Sequence, residues 1–194
     1  MNKTLEDRLG KLAMILIFGY FCIQQVQSFV ISFRLREQIE FWPLALLSQL
    51  CGVVFMVLVL YFTFTRLPPR DTAAGAMPRV VAIAGTFTML LLIVLPPEPI
   101  GEVQRVVSTV LIIVGTFLSA WCLYQLGKSF SIMAVSRELR THGSYSVVRH
   151  LLYGAEVVMI VGNILSHGSP RAYGVGLLSL ALQVRSAQFE ESVL

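Results

Sequence analysis

The residues with chemical capacity crowd into two short stretches. "THGSYSVVRHLLYG" (Thr141–Gly154) holds two histidines, an arginine, two tyrosines and two glycines. "LQVRSAQFEESVL" (Leu182–Leu194) holds an arginine and a pair of glutamates. Both border apolar segments. Arg149 and His150 stand at the predicted start of a helix, where free N–H groups and the helix dipole favour a carboxylate or a phosphate. An arginine there serves equally as a plain positive anchor, with His150 at the membrane interface. Glu156 lies about one turn into the next apolar segment, with Tyr153 three residues earlier on the same helical face. A carboxylate in an apolar helix is costly and faces a partner or a cavity, unless it sits at headgroup depth. Arg185 precedes Glu190 by roughly one and a half turns, so the two share a side of a helix only approximately. For Glu190 and Glu191 the alternative is an ordinary solvated tail.

Motifs of other chemistries are missing. There is no GxSxG elbow, no HExxH and no P-loop, and no glycine-rich dinucleotide turn follows a strand. His142, His150 and His167 lack metal-cluster spacing. Cys22, Cys51 and Cys122 lie inside apolar runs without a CxxC, as small buried hydrophobes do. No metal is expected. The net charge of +4 comes from basic residues dispersed between apolar segments, which argues against nucleic acid.

The elements that must position these residues are membrane helices. Hydrophobic residues make up 56% of the 194 and charged residues only 13%, where a soluble domain carries roughly a quarter. The mean hydropathy is +0.74. Six apolar segments are predicted: Leu12–Phe33, Pro43–Thr65, Val80–Leu95, Val103–Leu126, Leu151–Leu165 and Arg171–Val184. A span takes roughly 20 residues, so the third is short and the last two are shorter still. "SHGSP" divides those two as a turn, which makes them a short helical hairpin. The first apolar run is too long for a cleavable signal. The expected fold is all-α: a polytopic integral membrane protein of five to six transmembrane helices. It forms one membrane domain over residues 1–194, with helices 1–4 in 1–126 and a loop, hairpin and tail in 127–194.

Basic residues set the expected orientation. Lys3, Arg8, Lys11, Arg66, Arg70, Arg79, Lys128, Arg137, Arg140, Arg149 and Arg185 fall on one side, and only Arg34, Arg36, Arg105 and Arg171 on the other. This places both termini, the 127–150 loop and the tail in the cytoplasm, in a bacterial or archaeal inner membrane. The loop is long enough to be functional or disordered. Its Phe130, Ile132, Met133 and Val135 suit packing on the membrane face. Within the first segment, Gln24, Gln27 and Ser28 share a face beside Gln25, and interhelical hydrogen bonding is the expected role.

Taken in order, "LGKSFSI", "LRTHGSYSVVRHLLY", a hydrophobic hairpin and "LQVRSAQFEESVL" resemble the isoprenylcysteine carboxyl methyltransferase and phospholipid methyltransferase superfamily. The family pattern is GxYxxxRHPxYxG, followed after a hairpin by an arginine and an EE pair. The resemblance covers roughly Leu126–Leu194. It implies an integral membrane enzyme using S-adenosylmethionine, with S-adenosylhomocysteine as product. It implies a cofactor-binding set of Gly143, Tyr145, His150, Tyr153 and Glu190. Arg185 and Glu191 would lie nearer the reacting end, and Arg149 would join them in positioning an acceptor. Three departures stand out. Leu151 replaces the proline after RH, which would pre-set a first helical turn. Ala155 replaces the second glycine. The sequence ends three residues after Glu191, where family members continue with a tyrosine-containing basic segment that helps close the pocket, as a truncated chain would.

Methyl transfer from a sulfonium is an in-line displacement that needs alignment and a dry site more than a protein nucleophile. A carboxylate acceptor is already charged, and Arg185 or Arg149 would orient it. An amine or thiol must lose a proton, which Glu156, Glu191 or His150 would take. The expected acceptor is a lipid-like molecule entering from the bilayer, either isoprenylcysteine carboxylate-like or a phospholipid amine. Two other readings stand beside this one. One is a membrane reductase of the steroid-reductase type with a nicotinamide cofactor. The other is a non-catalytic membrane protein that keeps the fold.

Overall fold

The computed structural model describes residues 3–65, 71–72, 77–127, 135–136 and 151–191. Six helices run through them. They are α1 (Lys3–Arg34), α2 (Trp42–Thr65), α3 (Met77–Phe87), α4 (Glu102–Leu126), α5 (Leu151–His167) and α6 (Pro170–Glu191). Two-residue strands β1 (Asp71–Thr72) and β2 (Val135–Ser136) pair antiparallel and tie the loop after α2 to the loop after α4. This bridge is the one departure from an all-helical architecture among the described residues. The third apolar segment also differs from expectation. Its helix ends at Phe87 and tightens into a 3-10 stretch, Thr88–Ile93, before the prolines at 96 and 97.

Among the described residues, three helices are long and apolar enough to cross a membrane, where five to six spans are expected from the sequence: Leu9–Arg34 within α1, then α2 and α4. The apolar stretches Val80–Ile93 and Leu151–His167 are shorter. α6 runs 22 residues, further than its apolar segment of 14 suggested, because the helix continues through the polar "RSAQFEE".

Consecutive helices run up and down. The start of α1 meets the end of α2, where Lys11 Nζ donates to the Phe64 carbonyl. At the opposite end, Arg105 at the start of α4 pairs with Glu40 before α2. There too the Glu98 N–H donates to the His167 carbonyl at 3.0 Å, and Gln104 Nε2 donates to the Leu165 carbonyl at 2.9 Å. The starts of α1, α3 and α5 and the ends of α2, α4 and α6 therefore share one end of the bundle.

Small residues set the packing. α4 and α5 make the most extensive helix pair. A Cβ on Gly115 would lie 2.5 Å from the Met159 backbone nitrogen, and one on Gly162 would lie 2.8 Å from the Ile112 nitrogen. Only glycine permits this backbone approach, the usual device of helix pairs that have no solvent to expel. One core cluster joins Phe18, Val59, Phe62 and Leu123, and a second joins Ile160, Ile164 and Ala172.

The turn "SHGSP" follows from its residue types. Gly168 takes φ +71° as the left-handed residue after α5, and its N–H donates to the Ile164 carbonyl. Ser169 then caps α6 through Oγ, which accepts from the Ala172 N–H at 3.3 Å. Pro170 opens the helix, where its missing N–H costs nothing.

Candidate functional site

The α5–α6 hairpin folds the two chemically equipped stretches back onto one end of the bundle. The start of α5 carries Tyr153 and Glu156, and the end of α6 carries Arg185, Glu190 and Glu191. Two hydrogen bonds cross the hairpin there. Tyr153 Oη donates to Ser186 Oγ at 3.2 Å, and Gln183 Nε2 donates to Glu156 Oε2 at 2.8 Å. Both pairs use the three-residue spacing that puts side chains on one helical face. Glu156 is half-buried and takes the Gln183 hydrogen bond within the α5–α6 interface.

α6 turns a continuous stripe inward: Ala172, Gly176, Ser179, Gln183 and Ser186, all buried. The spacing alternates four and three residues, and the first three are small enough for close helix contact. Gln183 and Ser186 escaped the sequence reading. Their signal was the same alternation, a run of small residues leading up to a glutamine inside an otherwise apolar helix. α4 adds buried Ser119, Cys122 and Thr116. Three buried side-chain oxygens of this region, Ser119 Oγ, Ser179 Oγ and Gln183 Oε1, have no hydrogen-bond partner among the described residues. Each is a buried polar atom lacking the partner that burial ordinarily demands.

Arg185 is placed differently. It is exposed, donates from Nη1 to Gln188 Oε1 at 3.0 Å and lies over the Phe189 ring at 5.7 Å. It sits about 100° around the helix from Ser186, off the face that meets α5. The backbone of Glu190 and Glu191 belongs to α6, while their side chains lie outside the described residues, as do Gly143, Tyr145, Arg149 and His150. Of the nine expected site residues, the hairpin joins Tyr153 and Glu156 to α6 and leaves Arg185 on the surface. No group of three His, Cys, Asp or Glu that could hold a metal occurs among the described residues.

The first segment gives a correction. Gln25, rather than Gln24, Gln27 or Ser28, faces α2. Its Nε2 donates to the Gln49 carbonyl at 3.5 Å and lies against Gly52. Gln49 Nε2 in turn donates to Ser32 Oγ at 2.9 Å. Gln24, Gln27 and Ser28 are exposed, because α2 covers only one side of α1 and each helical residue turns about 100° from the last. A surface depression of about 330 Å³ at Phe33–Gln38 lies at the bundle end away from the hairpin's polar groups.

Fold and site together define a helical bundle with helices long and apolar enough to cross a membrane and a polar cluster buried at one end. No family model, no curated protein and no solved structure matches the chain.

Proposed function

We propose that the chain is an integral membrane methyltransferase that transfers a methyl group from S-adenosylmethionine to a lipophilic acceptor drawn from the bilayer. One observation carries this reading. The two family-like blocks, 33 residues apart at Tyr153 and Ser186, converge at one end of a helical hairpin through a direct side-chain hydrogen bond. The basic residues around that end support a cytoplasmic site, reached by a soluble cofactor from one side and by lipid from the other.

The residues present suit the cofactor. Gln183 Oε1 is a buried acceptor without a donor, next to the Glu156 carboxylate. Together they accept hydrogen bonds from ribose hydroxyls or from the ammonium of an amino-acid group. His150, Tyr153 and Glu190, with backbone near Gly143 and Tyr145, complete the binding set that the resemblance implies. When bound, S-adenosylmethionine supplies a methyl carbon activated by its sulfonium, and S-adenosylhomocysteine departs. The protein aligns the acceptor in line with that carbon and excludes water. Arg149 or Arg185 orients a carboxylate acceptor. Glu156, Glu191 or His150 takes the proton from an amine.

Calorimetric titration of the full chain in detergent with S-adenosylmethionine tests this. Saturable binding that is lost in His150→Ala and in Glu190→Ala supports the reading. Absence of binding, or binding indifferent to both substitutions, overturns it.

A further inference from the structure

α1 carries an exposed polar seam at mid-membrane depth. Ala13, Ile17, Tyr20, Gln24, Gln27 and Ile31 recur every three or four residues, and all are exposed. Tyr20 is 59% exposed, and among the described residues its hydroxyl accepts only from its own helix, from Gln24 Nε2 at 3.3 Å. Gln24 lies about 20 Å along the helix axis from Lys11 and about 15 Å from Arg34. If the two charges mark the interfaces, its amide sits near the centre of a hydrocarbon layer of about 30 Å.

The neighbouring exposed seam is different. Leu12, Leu16, Ile23, Val26, Val30 and Phe33 are all apolar, and lipid alone satisfies them. Two glutamine amides and a tyrosine hydroxyl facing lipid leave donors and acceptors unpaired where no water replaces them. α1 packs chiefly on α2, and Gln25 already holds that side. The polar seam is therefore fixed outward and available.

We infer that this seam is the contact between two copies of the chain, α1 against α1. A glutamine amide donates and accepts, so it complements itself. Two copies inserted with the same orientation put Gln24 opposite Gln24 and Gln27 opposite Gln27 at the same depth, as a two-fold interface requires. An unrelated helix would need polar groups at those two depths by coincidence. The alternation of three and four residues is the spacing that keeps a seam facing a partner helix over its whole length. The inference does not depend on the methyltransferase reading.

The test uses full chains, labelled separately with donor and acceptor fluorophores and reconstituted together in phosphatidylcholine vesicles. Energy transfer above the random-proximity level, falling on dilution with lipid, gives the dimer affinity. The double variant Gln24→Leu with Gln27→Leu weakens it about ten-fold, since each interhelical polar contact contributes modestly. Leucine at lipid-exposed positions leaves the fold intact, which an unchanged thermal midpoint verifies. Val26→Leu, on the apolar seam, leaves the affinity unchanged. Copper-catalysed cross-linking adds a positional readout: Gln24→Cys couples to itself, whereas Ile23→Cys does not. Wild-type chains that stay monomeric at every density overturn the proposal, as does a dimer that survives the double leucine variant.

Discussion

Tyr153 Oη reaches Ser186 Oγ at 3.2 Å across the hairpin, and one turn deeper Glu156 accepts from Gln183 at 2.8 Å. These two rungs join the start of α5 to the end of α6. They lock the register in which the chemically equipped stretches meet.

Tyr153→Phe removes the outer rung. The ring keeps its packing, so the expected loss is about 0.5–1.5 kcal/mol, the net worth of one hydrogen bond. Thermal unfolding in detergent measures it. Under the proposed function, affinity for S-adenosylmethionine drops as well. A variant that unfolds normally and binds with unchanged affinity removes Tyr153 from the cofactor site.

The inner rung suits a double-mutant cycle. Gln183→Leu takes the donor from Glu156 and costs about 1–3 kcal/mol, because a polar group is left partly unsatisfied. Glu156→Leu combined with Gln183→Leu recovers part of that loss. The expected coupling is about 0.6–1.7 kcal/mol, the range found between membrane helices. Strictly additive single effects contradict the coupling.

Gly115→Ala and Gly174→Ala give opposite signs. A Cβ at Gly115 meets the Met159 backbone at 2.5 Å, and relieving it parts α4 from α5 at a cost of about 1–3 kcal/mol. At Gly174 nothing lies within 4 Å, and the change stabilises the helix by about 0.5–1 kcal/mol. Unfolding midpoints of the two variants should bracket the wild type.

Gly168→Ala strains the hairpin turn. A side chain at φ +71° costs about 1–2 kcal/mol, and its Cβ would lie 2.5 Å from Ile100 Cγ2. The expected readout is a lowered unfolding midpoint. An unchanged midpoint would mean that the turn relaxes without cost.

Glu40→Gln should change little. The Arg105–Glu40 pair is about half-exposed on both sides, at 47% and 55%. Exposed ion pairs contribute about 0–1 kcal/mol. An unfolding shift larger than that, measured at low and at high salt, would mark the pair as a structural clamp.

The local features were legible in the sequence for a physical reason. A bilayer imposes its requirement on each segment separately, so apolar run length alone located α2 and α4 to within one residue of their observed bounds and α1 at its C-terminal end. The first apolar run begins at Leu12, whereas α1 begins nine residues earlier, at Lys3. Turn chemistry is equally local: Gly168, Ser169 and Pro170 each have one backbone task, and "SHGSP" marks the turn in the sequence. The start of a 3-10 stretch at Thr88 and the two-residue bridge between β1 and β2 were not legible, because they arise from contacts between segments.

Which way a polar side chain points was decided only by tertiary structure. Gln24, Gln25 and Gln27 are alike in composition and differ by about 100° steps around one helix. Only the position of α2 selects Gln25 for pairing and leaves the other two outward. The same holds for Arg185 and Ser186, neighbours in sequence, of which α5 engages the serine and leaves the arginine on the surface. The sequence by itself determined membrane-length helices, their turns and the concentration of polar chemistry near Tyr153 and Arg185. Tertiary structure decided which members of that chemistry meet, because helix faces acquire meaning only when a neighbouring helix covers them.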